Sequence, residues 1–309
     1  MTSAQPDWGA LARELGARAK ANEPLAPHTT LRIGGPADIY ISANTISELV
    51  EFVKLARQHQ APILVLGRGS NLVVSDSGWR GVVIANNADR IELTTKDHTM
   101  LVSAASGASL PGLASRTARQ GWRGLEWGIG VPGSIGGAVV GNAGAHGGSV
   151  ADNLVRAKIL DAANNVLDVP NRECQFSYRA SRFKRERGRE IVLEATFELE
   201  RDRAEECIAR MNQYTEHRRR TQPTEPSVGS MFKNPSNDFA GRLIEAAGLK
   251  GTREGRVEVS PVHGNFFVNL GGATSADLTR LIELVRTRVE EKFGVELELE
   301  IELVGTGES

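Results

Sequence analysis

The segment GIGVPGSIGGAVVGNAGAHGG, residues 128–148, contains nine glycines in twenty-one positions. Glycine loses more conformational freedom on folding than any other residue, which costs roughly 0.5–1 kcal/mol at each position in regular structure. The apolar residues Ile135, Val139 and Val140, and the scarcity of serine and charge, argue against a flexible linker. The segment is therefore predicted to be an ordered loop whose backbone N–H groups bind an anion.

Neither a Rossmann helix nor a P-loop explains these glycines. The residues from Gly128 to Gly133 match the spacing GxGxxG, but no hydrophobic strand precedes them. The glycines at 136 and 137 make a poor helix, so no helix is expected after Gly133. A P-loop is excluded because the sequence contains no GK[ST].

A second glycine-rich turn, GRGSN at residues 67–71, directly follows the apolar run PILVL at 62–66. By itself this segment could be an ordinary tight turn. Ligands of α/β proteins often bind where a buried strand ends in such a turn. The two segments together favour a nucleotide-type cofactor whose diphosphate is bound by backbone.

The composition is that of a soluble globular protein with room for a large core. The chain has 309 residues, a net charge of −1 and 40% hydrophobic residues, so its overall charge favours neither nucleic acid nor a membrane surface. Cys174 and Cys207 are too few for a disulfide framework and lack the spacing of metal ligands. The N-terminal residues resemble an amphipathic helix and no long apolar run occurs, so a cytoplasmic location is expected.

The order of predicted elements indicates an α+β fold, because strands occur in runs and do not alternate regularly with helices. A capping box at residues 45–48 begins one helix, and others are expected near 110–120, over 202–220 and before Gly248. A further helix, ending at Gly294, is expected from its apolar face, which contains Leu278, Leu281, Ile282, Val285 and Val289. Strands are predicted at 62–66, 81–85, 100–105, 154–160, 165–169, 191–199, 264–270 and, with strict alternation, 295–303.

Seven motifs occur in an order that resembles the UDP-N-acetylenolpyruvoylglucosamine reductase (MurB) family. They are TTLRIGGPADI (29–39), LGRGSNLVVSDSGWRGVVI (66–84), the segment 128–148, FSYRASRFK (176–184), GSMFKNP (229–235), AGRLIEAAGLKG (240–251) and ELELEIELVG (296–305). The resemblance extends from about residue 24 to residue 305, and the combination is more specific than any single motif.

The resemblance implies a two-part FAD-binding domain of the vanillyl-alcohol-oxidase (PCMH) type, followed by a smaller α+β substrate-binding domain. The Pro-rich segment TQPTEPS, at 221–227, agrees with a boundary in this region. The expected division is an N-terminal helical segment at 1–24, the FAD-binding domain at 25–205 with a subdomain boundary near 85–100, and the substrate-binding domain at 206–309.

The implied activity is the reduction of UDP-N-acetylglucosamine enolpyruvate to UDP-N-acetylmuramate, a step of peptidoglycan precursor synthesis. In this family NADPH gives a hydride to FAD, the reduced flavin passes it to C3 of the enolpyruvyl group, and C2 is protonated. One alternative is another FAD-dependent oxidoreductase of the same superfamily, acting on a small alcohol or sugar. A second is a nucleotide-binding regulatory module without catalysis.

The resemblance assigns FAD to the two glycine-rich segments. The implied cofactor residues are Gly67, Gly69, Ser70, Asn71, Gly128, Gly130, Pro132, Gly133, Ser134, Gly136, Gly137 and Asn142. His28 and His146 stand where tyrosines are common in the family, and related oxidases sometimes attach FAD through histidine. FAD is nevertheless expected to be non-covalent here, with both histidines as ordinary loop residues.

The resemblance also names the residues that carry the chemistry. Arg179 would bind the substrate carboxylate, Ser230 would protonate C2, and Glu300 would assist at C2; Tyr178 and Asn234 are implied substrate contacts. Without the resemblance, Arg179 lies beside a basic run at 182–190, and the glutamates at 296–302 are the solvated face of a strand. Leu299 replaces a proline that is usual in the family.

The nicotinamide preference, the oligomeric state and the family variant complete the expectations. No site for the 2′-phosphate of NADPH can be recognised, so the preference for NADPH rests on the resemblance. A monomer that acts on a small UDP-sugar, without nucleic acid, a membrane or a metal, is the working expectation. The short connection between Arg179 and Ser230 indicates the compact variant of the family, which lacks an insertion that carries a substrate-capping tyrosine.

Overall fold

The computed structural model describes residues 8–185 and 188–305. Its helices, in chain order, are α1 (Trp8–Leu15), α2 (Ile46–Gln58), α3 (Leu110–Arg119), α4 (Ile135–Gly141), α5 (Val150–Asn153), α6 (Arg182–Arg185), α7 (Ala204–Thr221), α8 (Ala240–Ala246) and α9 (Ser275–Phe293). Residues 1–7, part of the predicted N-terminal helix, lie outside the described range. In the part of the chain that the structure describes, no helix combines the length and hydrophobicity needed to cross a bilayer.

The strands up to the glycine-rich segment are β1 (Lys20–Pro24), β2 (Pro36–Ala43), β3 (Ile63–Leu66), β4 (Leu72–Val74), β5 (Trp79–Asn86), β6 (Ile91–Lys96), β7 (Thr99–Ala105) and β8 (Trp122–Arg123). Those after its start are β9 (Gly144–Ala145), β10 (Gly148–Ser149), β11 (Leu154–Leu160), β12 (Val166–Pro170), β13 (Ile191–Arg201), β14 (Ser227–Ser230), β15 (Arg253–Glu254), β16 (Val257–Val259), β17 (Phe266–Asn269) and β18 (Glu302–Val304). The predicted α+β class is confirmed.

The chain divides into two compact units, and each is discontinuous in sequence. The first contains residues 8–21, Ile39–Gly67 and Gly81–His217; the second contains Asn22–Asp38, Arg68–Arg80 and residues from 218 onward. The predicted domains, with boundaries at residues 24 and 205, are instead continuous stretches of sequence, and this division stays a prediction.

An antiparallel sheet in the order β12-β11-β13-β7-β6 forms the centre of the first unit. The predicted strand 191–199 is its middle strand, β13, which pairs with β11 on one side and β7 on the other. Side chains from the sheet, such as Phe197, pack with Leu113 of α3 and Val139 of α4 in one buried cluster. The helix before the glycine-rich segment and the helix within it are therefore held against this sheet.

The glycine-rich segment contains a helix, so the prediction that none follows Gly133 was wrong. Ser134 caps α4, because its hydroxyl accepts a hydrogen bond from the N–H of Gly137 at 3.3 Å. Ile135 and Val139 are fully buried, and a Cβ on Gly136 would lie only 2.9 Å from the Ser106 Cβ. Burial of the apolar face thus outweighs the low helix propensity of the glycines.

The second unit is built on the antiparallel sheet β14-β17-β16-β15 and the long helix α9. The predicted apolar face of this helix is buried, and the helix ends at Gly294 with a φ of 65°. At its start, Thr274 accepts a hydrogen bond from Asp277 N at 3.0 Å, while the Asp277 carboxylate accepts one from Thr274 N. This capping box fixes the first turn of the helix.

The predicted final strand, 295–303, was largely wrong. Only β18, Glu302–Val304, belongs to a ladder, in which it runs parallel to β4; a single bridge joins Leu299 to Phe232. Leu297 is buried and Glu298 is exposed, so the alternation of apolar and acidic residues reflects the buried and the exposed face of an extended chain. A strand also needs a neighbour along its length, and the pattern of one segment does not supply it.

Candidate active site

Tyr178 and Arg179 occupy the tip of a two-residue turn in the first unit. The main chains of Ser177 and Ala180 exchange hydrogen bonds of 3.0 and 3.1 Å across the base of this turn. Arg179 adopts a left-handed backbone conformation, with a φ of 53°. Its guanidinium carbon lies 5.7 Å from the centroid of the Tyr178 ring, and Tyr178 is 55% exposed. The turn therefore presents the two predicted residues side by side.

Ser230 and Glu300 lie on adjacent backbone segments of the second unit. Ser230 is the last residue of β14 and pairs with Phe266 of β17. The next residue, Met231, accepts a hydrogen bond of 3.0 Å from the N–H of Glu300. The structure thus brings together the backbones of two predicted catalytic residues that are 70 positions apart in sequence.

The segment that carries Glu300 is also hydrogen-bonded to the end of the glycine-rich turn at 67–71. The amide nitrogen of Asn71 donates to the main-chain carbonyl of Glu300 at 3.2 Å. The main-chain carbonyl of Asn71 accepts a hydrogen bond of 3.0 Å from Glu302 N. Asn71 was predicted from the resemblance to contact FAD, and in the structure its side chain donates a hydrogen bond to the Glu300 main chain.

Two side chains near Ser230 were not singled out from the sequence. Asn265 is 3% exposed, and its amide bonds both the N–H and the carbonyl of Phe232, at 2.9 and 2.8 Å. Lys233, within GSMFKNP, pairs with the exposed carboxylate of Glu298. An asparagine inside the apolar run NFFVN, 265–269, was the available signal, because a buried polar side chain needs hydrogen-bond partners.

Asn234, a predicted substrate contact, is exposed, and its Oδ1 accepts a hydrogen bond of 3.1 Å from Ala240 N. It therefore fixes the start of α8, since the first N–H groups of a helix have no partner within it.

The two glycine-rich segments touch each other within the first unit. A Cβ on Gly67 would lie 2.4 Å from the hydroxyl of Ser134. In the second unit, Gly69 has a φ of 60°, and a Cβ there would lie 2.3 Å from the carbonyl oxygen of His28. Gly69 is thus required by the backbone of this chain itself, whereas Gly67 leaves room for the side chain of Ser134.

Several N–H groups at the start of α4 are already bonded within the protein. Ile135 N donates to Ala108 O at 2.9 Å and Gly136 N to Ser106 O at 2.8 Å. An incoming anion would have to displace these hydrogen bonds.

Other N–H groups of the glycine-rich segments fit an anion better. Across residues 8–185 and 188–305, the N–H groups of Arg68, Gly69, Gly133 and Ser134 have no protein hydrogen-bond partner. Two come from each segment, and successive N–H groups in such turns form concave sites for phosphate. The N–H groups within each turn, taken by itself, therefore fit an anionic group such as a phosphate.

The remaining predicted cofactor residues lie in or beside the same backbone. Gly128 and Gly130 belong to the 3₁₀ turn Glu126–Gly130, and a Cβ on Gly128 would lie 3.1 Å from Leu110. Pro132 is exposed and Ser70 is half-buried. Asn142 ends α4 in the left-handed conformation, with a φ of 42°.

Comparison with known proteins decides the family. The model of the UDP-N-acetylenolpyruvoylglucosamine reductase C-terminal domain matches residues 222–304, and that of an FAD binding domain matches residues 37–169. The reductase of Bacillus velezensis is 43% identical over 95% of this chain and 96% of its own length. The chain belongs to the MurB family.

Further relatives agree. The Rubrobacter xylanophilus reductase is 45% identical over 93% of this chain and 95% of its own length. The crystal structure of MurB from Thermus caldophilus superposes with a TM-score of 0.77 at 36% identity, covering 92% of this chain and 97% of that one. A MurB protein is an FAD-binding oxidoreductase of peptidoglycan precursor synthesis, so the two alternative functions are set aside.

The two histidines at positions where MurB proteins commonly have tyrosine both contact protein groups. His28 Nε2 lies 3.0 Å from Glu23 Oε1. The His146 ring stacks on Tyr214, with 4.2 Å between centroids and 8° between planes. These contacts agree with the expectation that they are ordinary loop residues.

A buried ion pair attaches the turn before the glycine-rich segment to α7 of this MurB protein. Glu126 is 6% exposed and accepts hydrogen bonds from Gly124 N at 2.6 Å and from the Arg210 guanidinium. Burial lowers the pKa of Arg210, but its hydrogen bonds to Asp202 and Glu126 outweigh this effect and raise the pKa. Arg210 therefore stays charged, and its removal would leave the buried carboxylate of Glu126 without its charged partner.

Proposed function

We propose that this chain reduces UDP-N-acetylglucosamine enolpyruvate to UDP-N-acetylmuramate with NADPH as the hydride donor. Family membership supports the reductase reaction on a UDP-sugar. NADPH rests on the family resemblance alone, and the roles of single residues rest on the motifs and on the geometry described above. FAD, bound non-covalently, supplies a carrier for the hydride between the nicotinamide and C3 of the substrate.

Backbone N–H groups from both glycine-rich segments would hold the diphosphate of FAD. The family resemblance supports this role for both segments, and within each of them two successive N–H groups, Arg68 with Gly69 and Gly133 with Ser134, have no protein partner in the described part of the chain. The neighbouring residues Gly67, Ser70, Gly128, Gly130, Pro132, Gly136 and Gly137 are small or conformationally fixed and let the backbone approach.

Arg179 would bind the carboxylate of the enolpyruvyl group. Hydride addition at C3 leaves negative charge on C2, and this charge spreads into the carboxylate. The guanidinium presents two parallel N–H donors to a carboxylate, so the hydrogen bonds strengthen as charge develops. Tyr178, beside it on the turn, is the expected neighbour of the substrate.

Ser230 would protonate C2, assisted by Glu300. The observation that supports this pair is the hydrogen bond from Glu300 N to Met231 O, which makes their backbones neighbours. A serine hydroxyl is a weak acid, so it acts only when a strongly basic carbanion forms beside it. A carboxyl group beside it would help by orienting the hydroxyl and, in its protonated form, by returning a proton to the serine alkoxide afterwards.

Stopped-flow measurement of the two half-reactions tests this mechanism. Ser230→Ala should accept hydride from NADPH at a near-normal rate and react with the enolpyruvyl substrate roughly 10²–10⁴-fold more slowly, the range for loss of a general acid. Ser230→Cys should recover part of this rate. In deuterated water the parent should place solvent deuterium at C2. Ser236→Ala, an exposed neighbour, is the control. Equal losses in both half-reactions of Ser230→Ala would contradict the role of proton donor.

The cytoplasmic location, the monomeric state and the division at residues 24 and 205 remain proposals of the same kind. Analytical ultracentrifugation of the FAD-loaded protein tests the monomer, and limited proteolysis tests the division.

A further inference from the structure

The turn that carries Arg179 is fastened to the end of α4 on its N-terminal side. The amide nitrogen of Asn142 donates a hydrogen bond of 2.9 Å to the carbonyl of Ser177, the first residue of the turn. On the other side, Asn142 Oδ1 accepts a hydrogen bond of 3.1 Å from Ala151 N, at the start of α5. The side chain is 8% exposed, so both bonds are shielded from water.

A second hydrogen bond fastens the turn on its C-terminal side. Ser181 follows the turn directly and is fully buried, and its hydroxyl donates to the carbonyl of Val140 at 2.6 Å. Val140 and Asn142 are both at the end of α4, so one end of one helix holds both flanks of the turn. The tip, which has Arg179 at a φ of 53°, is thereby set at a fixed place relative to the glycine-rich segment.

The residue type at position 142 follows from these demands. Its φ of 42° lies in the left-handed region, which asparagine tolerates better than other residues with a Cβ. The carboxamide offers a donor and an acceptor at opposite corners, and the turn and α5 use one each. Aspartate would keep the acceptor but not the donor, whereas glycine would keep the backbone conformation and neither hydrogen bond.

We propose that Asn142 is a positioning residue for Arg179, acting through the carbonyl of Ser177, and that it does not serve as an FAD ligand. This inference rests on the proposed role of Arg179 as the carboxylate clamp. The geometry of a bidentate clamp tolerates little displacement, because small errors of position lose a large part of the rate.

The test compares Asn142→Gly and Asn142→Asp with the matched control Asn22→Gly, an exposed asparagine with a φ of 52°. Holoenzyme is reduced photochemically without oxygen and mixed with the enolpyruvyl substrate. Both Asn142 variants should react about 10–100-fold more slowly, while FAD occupancy and the rate of reduction by NADPH stay within twofold of the parent. Hydrogen exchange at the amides of Ser177 and Ala180 should quicken in both. The control should change none of these.

A double-mutant cycle with Arg179→Lys separates positioning from a general structural effect. If Asn142 acts through Arg179, Asn142→Gly should lose most of its effect in the Arg179→Lys background, because the group being positioned is already impaired. Rate losses that multiply in the double variant would overturn the inference. Loss of FAD from Asn142→Gly and Asn142→Asp would overturn it as well, and would restore the cofactor role predicted from the sequence.

The cycle also distinguishes this inference from the proposed function. If Arg179→Lys is slow and Asn142→Gly reacts like the parent, the positioning role fails and the clamp stands. If Arg179→Lys itself reacts like the parent, the clamp fails and the positioning role fails with it. Should Asn142→Gly not fold, Ser181→Ala replaces it, since that change removes the bond to Val140 on the other flank of the same turn.

Discussion

The side chain of Asn71 holds the main chain of Glu300, with 3.2 Å between Nδ2 and the carbonyl oxygen. Immediately after Asn71, β4 begins and pairs in parallel with β18, which starts two residues after Glu300. The end of the glycine-rich turn at 67–71 therefore also supports the main chain of the proposed catalytic glutamate. A displacement of this turn would be transmitted to Glu300 through one hydrogen bond and one ladder.

Replacement of Asn71 by alanine tests this support. We expect Asn71→Ala to lower the free energy of unfolding by up to about 1 kcal/mol, as for one partly exposed hydrogen bond, and to slow the reaction with the enolpyruvyl substrate. The affinity for FAD should stay within twofold, as measured by flavin fluorescence. Weakened FAD binding with an unchanged rate at saturating FAD would instead support the cofactor role. Asn237→Ala, in an exposed loop, is the control.

Replacement of Arg179 by lysine keeps the charge and removes the planar pair of donors. Arg179→Lys should leave flavin reduction by NADPH unchanged and slow the reaction with the enolpyruvyl substrate by about 10²-fold. Stopped-flow absorbance of the flavin measures both rates. Arg172→Lys, whose side chain is 85% exposed, is the matched control. Parent-like turnover by Arg179→Lys would show that the carboxylate is bound elsewhere.

The two glutamates on either side of Leu299 should differ sharply. Glu300→Gln is expected to slow the step that protonates C2 by about 10²-fold, in line with loss of an acid–base group. Glu298 is 72% exposed and pairs with Lys233, and such exposed pairs contribute about 0–1 kcal/mol, so Glu298→Gln should be nearly silent. Steady-state rates and thermal unfolding of both variants check this. Equal losses would mean that the carboxylate at 300 has no special role.

Valine at two positions of α4 tests where FAD approaches. A Cβ on Gly137 would meet only the Ser134 hydroxyl, at 3.5 Å, and one on Gly141 would meet nothing within 4 Å. Protein sterics therefore permit both substitutions. Gly137→Val should weaken FAD binding at least tenfold by equilibrium dialysis, and Gly141→Val should not. Similar affinities in the two variants would place the cofactor away from Gly137.

Both cysteines should be unreactive in the folded protein. Burial raises the pKa of the Cys174 thiol and of the Cys207 thiol to about 11 each, from 9. The thiolate is the reactive form, so an aromatic disulfide reagent at pH 8 should label neither cysteine until denaturant is added. Because the pKa of each thiol is higher in the folded protein than in the unfolded chain, the free energy of unfolding does not depend on these thiols below pH 9. It falls as the pH rises from 9 to about 11. Rapid labelling at pH 8 without denaturant would contradict this.

Local sequence patterns predicted those elements for which the hydrophobic periodicity and the terminal residues indicate the same secondary structure. The apolar face of α9 and the glycine at its end, Gly294, both indicated one helix, and the structure has it. Helix α4 and the final strand failed for opposite reasons. The glycines of α4 argued against a helix that burial of its apolar face nevertheless stabilises. The strict alternation at 295–303 predicted a strand, but most of these positions do not pair with a neighbouring strand.

The sequence by itself determined the fold class, the family and the residue types available to the reaction, because these are written in motifs and in hydrophobic patterning. Only the tertiary structure defined the hydrogen-bond partners of the Asn71 and Asn142 side chains. Both stand in glycine-rich motifs that resemble cofactor loops, yet their carboxamides are used by Glu300 and Ser177. A hydrogen bond requires two groups at about 3 Å, and when those groups are distant in sequence only the folded chain defines the partner.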